Sequence, residues 1–212
     1  IGVADGIDIS NSSATVTVTG LNNIGGFVGS IFNSEISTSF ATGEVTAGSS
    51  SAGGFAGFSG CGSSFYRVYA TGNVSGNGYV GGFSGDDGCE GPGSSFSQVF
   101  ATGNVVSINE YAGGFLGNSN VSTFNNVYSL GNVSGTTHVG GFLGRSSGSS
   151  ITNVYSAGSV YGSGGEFIGG FIGENNDEAI HSFWDGTKAE LEIGCGYYGP
   201  CLGVTDSTTV LL

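Results

Sequence analysis

One short phrase, Gly-Gly-Phe-x-Gly, returns six times and constrains the fold of this chain more than any other feature. Its copies occupy residues 25–29, 53–57, 81–85, 113–117, 140–144 and 169–173, about 28 residues apart. A second phrase follows each of the first five copies, at 39–45, 68–74, 99–105, 127–133 and 154–160. A regular period of this length is typical of a chain built as a stack of similar units.

Alignment of the two phrases gives columns of like residues. One column is aromatic: Phe40, Tyr69, Phe100, Tyr128, Tyr155 and Phe183. A glycine column follows three residues later: Gly43, Gly72, Gly103, Gly131, Gly158 and Gly186. The segments between the glycines are short and rich in Val, Ile, Phe, Tyr and Thr, which is typical of strands, and no stretch has a sustained helical period with caps.

These columns predict an all-β fold, a single-domain parallel β-solenoid (β-helix) of six to seven coils with about 28 residues per coil. Stacking at about 4.8 Å per coil gives a rod of about 30 Å. We expect the glycines to supply corner conformations that other residues reach only with strain. Residues 1–20 are interpreted as an N-terminal segment and partial first coil, 21–182 as the repeats, and 183–212 as a closing segment.

The charge of the chain excludes several classes of partner. Sixteen acidic residues against three Lys and Arg give a formal net charge of −13. Nucleic-acid binding needs clustered basic residues, and anionic lipid repels an acidic surface, so neither is an expected partner. No apolar run approaches the length of a membrane span. The chain shows no signal peptide and does not start with Met, which we interpret as a processed, secreted or cell-surface protein, although a trimmed chain would look the same.

Four cysteines also indicate an oxidising, extracellular compartment. Cys61 and Cys89 each follow a repeat phenylalanine by six residues, so stacking predicts a bridge between neighbouring coils. Cys195 and Cys201 flank GYYGP and predict a second, local bridge. A four-thiolate zinc site is the alternative, but the close Cys-x2-Cys pairs typical of zinc sites are absent.

The two phrases together resemble the GLUG repeat, in which GG[LF]xG is followed by N-x-YATGxVxG. VYATGNVSG at 68–76 and NVYSLGNVSG at 126–135 carry the resemblance, and SFWDGT at 182–187 with GVTDSTTVLL at 203–212 resembles its closing segment. The departure is phenylalanine where leucine is usual. GLUG repeats occur in large secreted or surface-attached bacterial and archaeal proteins, including adhesin-like proteins. The resemblance implies an extracellular structural or adhesive module and brings no catalytic residues.

Two acidic groups are candidate calcium ligands, because calcium prefers oxygen-rich loops. They are Asp86, Asp87 and Glu90 in the insertion of the third unit, and Glu174, Asp177 and Glu178 in the matching turn of the last. Neither matches a calcium-loop spacing, so a solvated acidic surface is the competing interpretation. The acids are scattered over turns, and His138 and His181 are expected to be ordinary surface residues. We therefore expect no enzymatic activity and no cofactor.

Asparagines give two further predictions. Four match the N-x-[ST] glycosylation pattern: Asn11, Asn73, Asn120 and Asn132. A short asparagine column, formed by Asn73, Asn104 and Asn132, predicts a side-chain ladder along the stack.

The ends of a solenoid expose sheet edges that associate unless they are capped. Here both ends are apolar, and the residues predicted to make subunit contacts are Ile1, Val3, Ile7, Ile9, Val210, Leu211 and Leu212. Stacking head to tail would make the chain its own partner in an open extracellular filament. The alternative is a surface adhesin or carbohydrate-binding module for surface glycans, with Tyr79, Tyr111 and Tyr161 as the rings that would stack on sugar.

Overall fold

The computed structural model describes residues 1–88, 91–165, 167–189, 191–197 and 201–206. The chain winds into a parallel β-solenoid of about six turns, with about 28 residues per turn, which confirms the predicted fold. Each complete turn crosses four parallel sheets, which we name I to IV in the order in which the chain meets them.

Sheets I and II are the longest. The strands of sheet I are Val3–Asp5, Val28–Phe32, Ala56–Gly60, Ser84–Asp86, Leu116–Asn120, Leu143–Ser147, Ile172–Asn175 and Cys195–Tyr197. The strands of sheet II are Asp8–Ser10, Ser13–Ala14, Glu35–Ser37, Phe40–Ala41, Ser64–Tyr66, Tyr69–Ala70, Ser95–Ala101, Thr123–Ser129, Ser150–Ser156, Ala179–Ile180, Ser182–Trp184 and Val204–Asp206.

Sheets III and IV each contain six short strands. The strands of sheet III are Val18–Gly20, Val45–Ala47, Val74–Gly76, Val105–Ser107, Val133–Gly135 and Val160–Gly162. The strands of sheet IV are Ile24–Gly25, Ala52–Gly53, Val80–Gly81, Tyr111–Gly113, His138–Gly140 and Ile168–Gly169. A four-residue helix, Gly186–Ala189, lies near the C-terminal end of the described solenoid.

The strand register follows the sequence columns. Phe65 pairs with Phe96, and Phe96 pairs with Phe124, along sheet II. The outer aromatic column keeps the same register, since Tyr128 pairs with Tyr155. Like residues therefore lie directly above one another, which turns each sequence column into a ladder along the axis.

The core is built from two interlocking stacks of phenylalanine. The larger stack contains the phenylalanine of every Gly-Gly-Phe phrase: Phe27, Phe55, Phe83, Phe115, Phe142 and Phe171. Its neighbouring ring centroids are 4.6–5.4 Å apart. The smaller stack, Phe65, Phe96 and Phe124, meets the larger one edge to face, with Phe65 and Phe83 5.3 Å apart at 86°. Edge-to-face contact is a favourable arrangement of aromatic rings, so each stack fixes the position of the other.

The glycine column within the second phrase has a different role from the one predicted. Its members from Gly43 to Gly158 do not adopt left-handed backbone conformations, so the expectation of corner conformations is wrong for this column. A Cβ atom at Gly103 would instead lie 1.9 Å from the carbonyl oxygen of Gly72. Glycine is required here because successive coils approach too closely for any side chain.

Most of the described residues with positive φ are not glycine: eleven other residues and five glycines adopt it. One set shares a single position in sheet II, with φ between 49° and 57°: Asn11, Thr38, Arg67, Gln98, Asn126, Asn153 and His181. In each coil this residue bends the path of sheet II between its two halves. The bend places an outward-facing polar column beside the outer aromatic column.

Candidate functional site

The N-terminal end of the described solenoid is an open sheet edge. Its strands Val3–Asp5 and Asp8–Ser10 pair with the second coil, and within the described residues nothing pairs with their other side. Ile1, Val3 and Ile7 are 61%, 66% and 41% exposed. Three of the predicted contact residues therefore lie on an unpaired edge.

The end of the core is open at the same place. A depression of about 600 Å³ is lined by the apolar side chains of Val18, Ile24 and Phe27, among others. Ile9, also predicted to make subunit contacts, is partly buried and packs against the core. The remaining predicted contact residues, Val210, Leu211 and Leu212, lie outside the described residues.

Val16 distinguishes the first coil from the later ones. It occupies the position that Gly43 and Gly72 hold in the next two coils, and a Cβ at Gly43 would lie 1.8 Å from the Val16 carbonyl oxygen. At each glycine of this column from Gly43 to Gly158 the missing Cβ would point toward the preceding coil. By the same geometry the Val16 side chain, 63% exposed, points out of the open end.

The opposite end carries the last rung that the structure describes. It consists of Cys195–Tyr197 in sheet I and Val204–Asp206 in sheet II, and none of the described strands continues sheets III or IV there. The predicted disulfide between Cys195 and Cys201 is present, with Cα atoms 5.5 Å apart. It joins the strand Cys195–Tyr197 to Cys201, which lies three residues before the strand Val204–Asp206. The predicted Cys61–Cys89 bridge involves Cys89, which lies outside the described residues, and stays a prediction.

His138 is partly buried on the outside of the solenoid, where we expected an ordinary surface residue. Its ring lies between those of Tyr111 and Phe167, at centroid distances of 4.3 and 4.4 Å. Its Nε2 atom is 3.2 Å from a carboxylate oxygen of Glu174, and the Nε atom of Arg145 lies 3.4 Å from the same oxygen. Burial lowers the pKa of His138, while the Glu174 carboxylate opposes that shift.

The neighbouring candidate calcium ligands Asp86 and Asp87 face opposite ways. Asp86 lies on the outer face of sheet I and accepts a 2.8 Å hydrogen bond from the Asn118 side chain. Asp87 is fully buried, where it accepts a 2.7 Å hydrogen bond from the Asn120 backbone N–H and another from the Ser122 hydroxyl. Burial holds the pKa of Asp87 well above its ordinary value, although both hydrogen bonds lower it.

The other candidate calcium ligands are dispersed. Glu174 is paired with His138, Glu178 is exposed, and Asp177 accepts a hydrogen bond from the Ser146 hydroxyl. Glu90 lies outside the described residues. Within the part of the chain that the structure describes, no three His, Cys, Asp or Glu residues form a group that could hold a metal ion. Calcium binding stays a prediction.

The predicted asparagine ladder exists, but its bonds run from side chain to backbone. Oδ1 of Asn73 accepts the backbone N–H of Asn104, and Oδ1 of Asn104 accepts that of Asn132, both at 3.0 Å. Of the four predicted glycosylation sites, Asn11, Asn73 and Asn132 are exposed and Asn120 is partly buried. Glycosylation itself stays a prediction.

A groove on the outside of sheet II was missed by sequence reasoning. Along this face Phe40, Tyr69, Phe100 and Tyr128 stack ring on ring, with centroids 4.8–5.0 Å apart. Among the described rings the stack does not continue to Tyr155, although its backbone keeps the register. The groove, which we call the aromatic groove, has a volume of about 440 Å³ and is lined by Gln98, Phe100, Asn126, Val127, Tyr128, Asn153 and Tyr155.

The chain is a β-solenoid repeat protein, because it winds through four parallel sheets around a core of stacked aromatic rings. One turn of the solenoid takes about 28 residues. The chain carries GLUG repeats, since residues 20–46 and 135–161 match the model of the GLUG motif. The resemblance predicted from the sequence is thereby confirmed, and the fold fits a surface or structural repeat protein. No curated protein is significantly similar to the chain. Among the described residues, no helix combines the length and apolar character needed to cross a bilayer.

Proposed function

We propose that this chain is an extracellular structural protein whose copies stack head to tail into a filament. The observation that carries the proposal is the unpaired apolar edge at the N-terminal end, with Ile1 and Val3 more than half exposed. An exposed edge of this kind adds strands from another subunit by backbone hydrogen bonding. The proposal requires neither an enzymatic activity nor a cofactor.

The two ends are complementary in sheets I and II. The last rung offers Cys195–Tyr197 and Val204–Asp206, which continue the same two sheets that Val3–Asp5 and Ser13–Ala14 begin. A second copy seated end to end would therefore extend both sheets. Because the two surfaces differ, the contact is heterologous and generates an open filament unless it closes into a ring.

Val16 restricts which edge fits. A complete repeat coil would bring a carbonyl oxygen against the Val16 Cβ, at the distance of about 1.9 Å that the glycines avoid elsewhere. The residues that follow Asp206 in the last rung lie outside the described residues. The proposed joint therefore rests on the pairing of sheets I and II.

Electron microscopy and sedimentation of the protein under non-denaturing conditions test the proposal. We expect filaments with an axial repeat near the rod length of about 30 Å. The double variant Val3→Lys, Ile7→Lys should remain as single rods, since lysine protects an exposed edge against pairing.

The matched control is Val106→Lys, Ile108→Lys, which adds the same charge at exposed positions away from the ends. It should polymerise like the unmodified protein. Single dispersed rods of the unmodified protein across all concentrations, or equal loss of filaments in both double variants, would overturn the proposed joint.

A further inference from the structure

The aromatic groove lies where the outer aromatic stack is interrupted. From Phe40 to Tyr128 each ring covers its neighbour, since adjacent planes differ by only 2–3°. The stack breaks between Tyr128 and Tyr155, and the groove opens there. By contrast Tyr111, one of the rings first expected to bind sugar, is covered by Tyr79 on one side and His138 on the other. The break therefore supplies a flat apolar surface that the rest of the ladder lacks.

A row of exposed amides forms the other wall of the groove. Gln98, Asn126 and Asn153 occupy the same bend position in three successive coils. The Nδ2 group of Asn153 donates to Oδ1 of Asn126 at 3.4 Å, which aligns the row along the axis. A carboxamide has two N–H donors and two acceptor lone pairs, so each amide keeps capacity for a ligand.

The lining discriminates between ligand classes. None of the described lining residues is charged; Arg67 borders one end through its bond to Gln98, and Asp185 lies near Tyr155 at the other. Burial raises the pKa of both Tyr128 and Tyr155, so their hydroxyls stay protonated and neutral. A charged polymer gains nothing from such a wall, and the net charge of −13 disfavours a polyanion.

A peptide is not the ligand that this surface fits. The strand Thr123–Ser129 under the groove is paired with sheet neighbours on both sides, so its backbone is not free to bind an added strand. Rings on one side and amides on the other instead match a sugar, which has an apolar C–H face and a rim of hydroxyls. The amide row continues over three successive coils, about 4.8 Å apart, so a ligand with repeated units lies along the axis.

We propose that the aromatic groove binds a neutral polysaccharide chain, with sugar rings against Tyr128 and Tyr155 and hydroxyls bonded to Gln98, Asn126 and Asn153. The site lies on the side of the rod, so it does not depend on the end-to-end joint. It would give a filament, or a single rod, a lateral attachment to a glycan surface.

Affinity electrophoresis of the full chain tests this, with soluble β-glucan, mannan and xylan in the gel as neutral probes and polygalacturonate as the charged one. We expect retardation by at least one neutral polymer and none by polygalacturonate. Tyr155→Ala should weaken the apparent affinity at least about tenfold, which corresponds to about 1.4 kcal/mol.

Two variants separate binding from folding. Asn153→Gly keeps an exposed position compatible with a positive φ and should also weaken retardation, without disturbing the fold. Tyr161→Ala, at an exposed tyrosine on sheet III, should be retarded like the unmodified protein. The proposal is overturned if no neutral polymer retards the chain, if polygalacturonate binds equally well, or if Tyr155→Ala and Asn153→Gly leave the retardation unchanged. Filament formation is scored separately by microscopy, so neither result decides the other.

Discussion

Replacing Gly103 by alanine is the most direct test of how the coils are held together. The added Cβ would lie 1.9 Å from the Gly72 carbonyl oxygen, whereas ordinary contact begins at 3.4 Å. Relief requires the two coils to separate by about 1.5 Å at this corner. The obstacle is backbone, so no side chain can rotate away.

That separation is larger than the neighbouring hydrogen bonds tolerate. Val74 donates to the Asn104 carbonyl at 2.8 Å, Thr102 to the Ala70 carbonyl at 3.0 Å, and Asn104 to the Asn73 side chain at 3.0 Å. Hydrogen bonds stretched by about 1.5 Å are lost. At about 1 kcal/mol for each bond, the expected loss of unfolding free energy is about 3 kcal/mol.

Urea denaturation followed by circular dichroism measures this loss. The matched control is Gly91→Ala, because Gly91 is exposed and no atom lies within 4 Å of its missing Cβ. The control should unfold within about 0.5 kcal/mol of the unmodified protein. Equal unfolding midpoints for both variants would refute the argument that close approach of the coils is what requires glycine in this column.

Four further substitutions probe the core and two ionisable groups whose pKa is shifted by burial. Phe96→Ala removes a fully buried ring and should lower the unfolding free energy measured by urea denaturation by about 3–5 kcal/mol. Phe100→Ala removes a ring of the half-buried outer stack and should lower the unfolding free energy clearly less. Equal losses in the two variants would contradict the assignment of the core. Burial raises the pKa of Asp87, so the fold favours the neutral acid: its contribution is fully present below the ordinary pKa and is lost as pH rises through the folded pKa. Asp87→Asn should therefore raise stability at neutral pH and flatten the decline that begins above the ordinary aspartate pKa, and an unchanged profile would contradict it. Burial lowers the pKa of His138, so the unfolded chain binds the proton more readily than the folded chain does. Stability should therefore fall as the pH drops through the ordinary histidine pKa. In a pH series of melting temperatures His138→Gln should abolish that fall, and a fall that persists in the variant would have to come from another group.

Coil length and strand register were predictable because the same residue type recurs at the same position of successive repeats. Such residues, for example Phe65 and Phe96, can stack on each other only if the strands of neighbouring coils pair in that register. The local disulfide was predictable for a similar reason, since Cys195 and Cys201 are close in sequence.

The role of the glycine column was not predictable. A glycine can be required either because the backbone has a positive φ or because another backbone segment lies too close for a side chain, and the sequence does not distinguish the two cases. The actual bend position carries Asn, Thr, Arg, Gln and His, which share no residue type that could signal it. Asp87 was misjudged as part of a surface turn, because strand alternation continues one residue further than expected and turns its side chain inward. The aromatic groove depends on ring orientation at Tyr128 and Tyr155, which an unbroken aromatic column conceals.

The winding through four sheets also has a mechanical consequence. Backbone hydrogen bonds between coils run along the axis, so a force that pulls the two ends apart loads every junction between coils in series. At each junction between complete coils four sheets share that force, and the stacked phenylalanines lie across it. A junction therefore opens only when the hydrogen bonds of several strands break together, which makes the described coils resist extension along the axis.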